Sequence, residues 1–150
     1  MGNRAVITTR RDLKDIGVYL HWNGGRDSVE GFLTYCKIKG FRPPEHDNYG
    51  WAYLCNIIGN FFGQSGTSLG IDIANKLDCD NWDNVTYIIK DWKIVDRLYV
   101  KNREQREYPL MDMLLSIDEK QPEPLGENAI VDALIKIKQE EINDDSAASR

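Results

Sequence analysis

Between Gly17 and Glu30 the spacing of apolar residues changes from a period of two to one of about 3.6, and this switch constrains the fold more than any other stretch. Val18, Leu20 and Trp22 alternate with Tyr19 and His21, which places the first three on one face of a strand. Asn23-Gly24-Gly25 follows, residues that tolerate positive φ and allow a sharp turn. Asp27 and Glu30 have the spacing of a capping box, which predicts a helix beginning at Ser28. Strand, glycine turn and helix start can also form an anion cradle from Asn23, Gly24, Gly25, Arg26, Asp27 and Ser28, because helix N–H groups and an arginine would meet a negative ligand there. The stretch has neither the Lys-Ser/Thr of a P-loop nor the G-x-G-x-x-G spacing, so a tight strand-to-helix connection is the plainer reading.

The flanking pattern extends this start into a single α+β domain over residues 1–142, with two β-hairpins packed on about four helices. The β-branched run 4–9 and the strand 16–22 predict one hairpin, and 85–89 with 93–100 a second, turning at Lys90-Asp91-Trp92. Val29, Phe32, Leu33 and Cys36 form one helical face over 28–39, and Gly40 is placed to end that helix. A second helix spans 49–62, capped by Asp47 or Asn48, with Trp51, Leu54 and Ile58 facing the core. Gly59 inside it costs stability relative to Ala, which implies close packing there. A polar loop over 63–70 and a short strand at 71–73 come next. Residues 107–119 predict a third helix with Pro109 in its first turn, and Ile130 to Ile137 mark a C-terminal helix of about thirteen residues, beyond which 143–150 frays.

Charge narrows the function classes. Residues 1–100 carry twelve Lys/Arg against twelve Asp/Glu, and residues 101–150 carry seven against twelve, which accounts for the net −5. No basic stripe suited to gripping duplex DNA stands out, whereas an acidic face can compete with nucleic acid for a basic protein surface. No run of about eighteen apolar residues predicts a membrane span, and the N-terminus lacks a secretory leader pattern. Cys36, Cys55 and Cys79 are odd in number and widely spaced, which predicts free thiols in a reducing cytosol.

No complete catalytic constellation or cofactor motif emerges. Asp78, Asp80 and Asp83 lack the order and the glycine of a calcium loop, and side-chain-capped turns account for them. His21 would need Asp27 or Asp47 as an orienting partner to act as a base, and a structural histidine is the plainer reading. Ser28 lacks the G-x-S-x-G elbow, and helix capping explains it.

The segments 2–8 (GNRAVIT), 17–30 (GVYLHWNGGRDSVE), 42–52 (RPPEHDNYGWA), 58–63 (IGNFFG) and 77–81 (LDCDN) resemble small proteins carried by phages and mobile elements of low-GC Gram-positive bacteria, over roughly residues 2–100. That resemblance implies an anti-defence protein of the anti-CRISPR type, working in the host bacterial cytosol without a cofactor. Its partner would be the ribonucleoprotein of an RNA-guided defence nuclease, and the missing catalytic constellation favours a stoichiometric binder that works without turnover. Glu104, Glu107, Asp112, Asp118 and Glu119 would then be acids available to face the partner's positive channel. The alternative is a binder that sequesters a nucleotide-like defence signal at Asn23–Ser28.

Overall fold

Strand β1 (Ala5–Thr8) pairs antiparallel with β2 (Ile16–Leu20) in the register Ala5↔Leu20 to Thr8↔Gly17, the hairpin that the β-branched runs predict. The computed structural model describes residues 2–63 and 68–148, with 147 and 148 as backbone only. The second hairpin, β4 (Thr86–Lys90) with β5 (Lys93–Leu98), turns at Asp91 and Trp92, whose φ values of 50° and 60° are those of a type I′ connection. The two hairpins do not stand apart: β4 lies parallel beside β1, and the strand expected at 71–73 begins earlier, as β3 (Leu69–Ile73), on the far edge of β2. One five-stranded sheet of order β3-β2-β1-β4-β5 results. The parallel β1–β4 pair requires a long crossover, which the intervening helices supply. Of the loop expected over 63–70, residues 64–67 lie outside the described residues.

Alternation along each strand sorts side chains to two faces. Ala5, Ile7, Val18, Leu20, Tyr87 and Ile89 point to the helical layer. At its centre lies α1 (Arg26–Ile38), packed on α2 (Tyr49–Phe62) and α3 (Leu110–Glu119). Trp51 is buried at 5% exposure beside Leu54 and Ile58, as the periodicity of α2 predicts. The opposite face is closed by a smaller cluster of Val6, Leu13, Ala74 and Cys79 under the 3₁₀ turn Ala74–Lys76.

Several expectations are corrected. Trp22 does not continue the core face of β2: the strand ends at Leu20, and Trp22 is 48% exposed. Among the described residues a Cβ added at Gly59 meets nothing within 4 Å, so none of them demands that glycine. The third helix starts at Leu110 with Pro109 as its N-cap, because 104–109 runs as an extended strap. The C-terminal helix α4 (Glu127–Ala148) is longer than the apolar residues suggest: it is held by Ile130 and Leu134, contains no Gly or Pro, and stays helical through most of the stretch expected to fray. No described helix is long and apolar enough to cross a membrane.

Candidate binding site

The chain's own strap fills the proposed anion cradle. Helix α1 begins at Arg26, with Gly25 as N-cap and no side-chain cap, so Asp27 and Glu30 form no capping box. The Arg26 N–H donates to Gln105 O at 3.0 Å, and the Gly24 N–H donates to Asn3 O at 2.9 Å. Asp27 Oδ1 accepts the Ser28 N–H at 2.8 Å, while Oδ2 accepts the backbone N–H groups of Glu107 and Tyr108. The negative group at this helix N-terminus is therefore an internal carboxylate, which the helix dipole favours. The glycines serve close approach: a Cβ at Gly24 would sit 2.6 Å from Asn3 O, and one at Gly25 2.6 Å from Gln105 O. The positive φ belongs to Asn23, at 57°.

Further side chains pin the strap. Buried Asn84 accepts the Gln105 N–H at 2.7 Å and donates to Gln105 Oε1 and to Asn3 Oδ1, both at 2.9 Å. Glu104 is ringed by guanidinium groups: Arg26 Nε at 2.6 Å, Arg97 Nη1 at 2.9 Å and Arg106 Nη2 at 3.8 Å. Burial works against its charge, but Arg26 and Arg97 outweigh that and hold its carboxyl below the usual range.

The acids expected to face a partner are thus divided. Glu104 is engaged internally, and Asp118 is buried, accepting from the Tyr35 hydroxyl and the Leu125 and Gly126 N–H groups. Glu107, Asp112 and Glu119 are exposed, with Glu107 Oε1 3.4 Å from Asn3 Nδ2.

The acidic turn 78–83 is knitted by Asn81, whose Oδ1 accepts the Asp83 and Val85 N–H groups, and not by its aspartates. Asp83 and Asp78 hold Arg4, and Asp80 holds Lys101. Among the described residues no group of three or more His, Cys, Asp or Glu is placed to hold a metal ion. His21 Nδ1 pairs with the Tyr19 hydroxyl at 2.8 Å, not with Asp27 or Asp47. Ser28 is buried, and its Oγ accepts from Asn23 Nδ2 at 3.4 Å.

Around the strap, solvent meets an unusual surface. Trp22 (48% exposed) and Tyr108 (46%) share a hollow with Asn3, Asn23, Gln105 and Glu107. Trp82 (64%) shares another with Asp83, the partner of Arg4, and with Asn102, Arg103 and Gln105. A third hollow, of about 520 Å³, lies along Arg97, Val100, Lys101, Arg103 and Arg106. Lys101 Nζ sits 4.0 Å from the centroid of the Trp82 ring, within cation–π range. Charge counted over fifty residues hides this patch. The local signal is the run 101–106 (KNREQR), with three cations in six residues, next to exposed Tyr99.

No protein-family model matches the chain, and neither a curated protein nor a solved structure matches it.

Proposed function

We propose that the protein is a stoichiometric binder that docks through the strap end of the fold, and that its partner is the ribonucleoprotein of an RNA-guided defence nuclease. The observation that carries the reading is the gathering of Trp22, Trp82, Tyr108, Arg103 and Arg106 along the hollows beside the strap, which is pinned by Asp27 and Asn84. Trp, Tyr and Arg are the residue types that dominate binding hot spots, and a pinned backbone lowers the entropy lost on association. The resemblance to phage-borne anti-defence proteins supplies the class of partner. The sequestration of a nucleotide-like signal at Asn23–Ser28 has less support, since Gly24, Arg26 and Ser28 already direct their N–H groups to internal acceptors.

The test is a titration of the protein into a cleavage assay of a guide-loaded effector nuclease. Inhibition is expected to saturate at a fixed molar ratio and to persist in Ser28→Ala, since that side chain is buried and lies off the docking surface. Trp82→Ala combined with Tyr108→Ala should weaken inhibition by about tenfold or more, the scale of aromatic hot spots. Sub-stoichiometric protein that consumes many copies of target or guide, with activity lost in His21→Ala, would overturn the reading.

A further inference from the structure

We infer that the hollow beside the strap binds single-stranded nucleic acid, with its arginines on the phosphodiester backbone and Trp82 as a stacking platform for a base. The inference rests on the proposed docking end and names what that end touches: the exposed strand of a ribonucleoprotein in place of its protein surface.

Charge complementarity is the first argument. Arg97, Lys101, Arg103 and Arg106 line this hollow, with Glu104 as the one acid among its lining residues. Counting Asp80 against Lys101 as well, four cations face two anions, a surplus of two positive charges on a protein of net charge −5. Arg103 is exposed, and Arg106 reaches its acid only at 3.8 Å, so both guanidinium forks are open to phosphate oxygens.

The second argument is a donor without an acceptor. The Arg97 side chain is only 8% exposed, yet it lines the hollow. Its Nε donates to Asn84 O at 2.9 Å, and its Nη1 to Asn102 O at 2.8 Å and to Glu104. Among the described residues its Nη2 has no partner, and neither does the hydroxyl of Tyr87, the residue paired with Arg97 across β4 and β5. A buried donor left unpaired is costly, and it leaves Arg97, beside the hollow, with hydrogen-bonding capacity that its protein neighbours do not use.

The third argument selects a single strand. Trp82 carries Lys101 over its ring and is still 64% exposed, so the indole keeps surface for a base to stack on. Bases are free to stack on an aromatic ring only where they are unpaired. The cations surround one hollow of about 520 Å³ and do not form the long stripe that would track duplex phosphates.

The experiment is fluorescence anisotropy with an end-labelled mixed-sequence strand of about twelve nucleotides, as RNA, as DNA and annealed to its complement. Binding of either single strand, with Trp82→Ala and the double variant Arg103→Glu/Arg106→Glu each weakening it about tenfold or more, is expected. Both variants lie on the surface, and circular dichroism checks their fold. Affinity should fall as salt rises from about 0.05 to 0.2 M. Absence of single-strand binding, binding indifferent to these variants, or equal binding of the duplex would overturn the inference. An inhibitor that binds the guide-free nuclease as tightly as the loaded particle, and binds no free strand, would leave the inhibitor reading standing and remove this one. Strand binding that needs Trp82 and the arginines, without any effect on the nuclease, would do the reverse.

Discussion

Tyr35 and Asp118 meet between α1 and α3, the phenol hydroxyl donating to Oδ1 at 2.7 Å inside the helical layer. The same carboxylate accepts the Leu125 N–H at 2.8 Å and the Gly126 N–H at 2.9 Å, tying down the connection that leads into α4. One buried acid thus joins three helices. Burial opposes its charge, but the hydrogen bonds from Tyr35, Leu125 and Gly126 outweigh that and hold its carboxyl below the ordinary range.

A folded-state pKa below the unfolded value adds stability above the unfolded value of about 3.9, and that stability disappears as pH falls further toward the folded value. Asp118→Asn should therefore cost about 1.5–3 kcal/mol at pH 7, the scale of hydrogen bonds to a buried charge. It should also flatten the loss of stability below pH ~4. Urea unfolding at a series of pH values checks both, and an acid limb as steep as that of the parent protein would refute the assignment.

Gly59 offers a test in the opposite direction. It lies inside α2, and an added Cβ would meet none of the described residues within 4 Å. Gly59→Ala should stabilise the protein by about 0.5–1 kcal/mol, because the glycine gives up more backbone freedom on folding than alanine does. A higher midpoint of denaturation with an unchanged slope would show it, and a lower midpoint would point to a packing demand at this position.

Much of the fold is legible from periodicity, and the losses have identifiable causes. The α2 boundaries, the α1 face and both hairpins follow from local spacing. The parallel pairing of β1 with β4 does not, since nothing local in Val6-Ile7-Thr8 specifies Thr86-Tyr87-Ile88 as neighbours. Asp27 followed by Glu30 has the spacing of a cap, yet the carboxylate is drawn to residues eighty positions away, a tertiary contact that overrides a local motif. The candidate site was hidden for a related reason. Glu104 is surface acid in a charge count, whereas the fold surrounds it with Arg26, Arg97 and Arg106 and leaves a basic rim.

Asp27 should control the strap. Its Oδ2 accepts the amides of both Glu107 and Tyr108 and its Oδ1 that of Ser28, so Asp27→Ala removes the acceptor of three backbone donors, two of them in the strap. The expected cost is about 2–3 kcal/mol, with faster hydrogen exchange concentrated at 104–109 and at the first turn of α1. Exchange that rises evenly over the whole sheet would show that Asp27 supports the fold globally.

The thiols provide the last prediction. Cys36, Cys55 and Cys79 are free; Cys36 and Cys79 are buried, and Cys55 is half-buried. Burial pushes the Cys36 thiol up, and it pushes Cys55 up to about 11. At pH 8 a free thiol of pKa about 8.5 is roughly one-quarter ionised, while Cys55 is about 0.1% ionised. The greater nucleophilicity of a more basic thiolate returns about one order of magnitude of that deficit. Cys55 should then react with an aromatic disulfide reagent roughly twentyfold more slowly than a free thiol, before any steric shielding. Cys36 should wait for unfolding, because its side chain has no solvent-exposed surface in the folded chain. Three equivalents per chain are expected on denaturation. A native thiol that reacts at the free-thiol rate would place one of these sulfurs at the surface and contradict either the packing of α1 against α2, for Cys36 or Cys55, or the smaller cluster around Ala74, for Cys79.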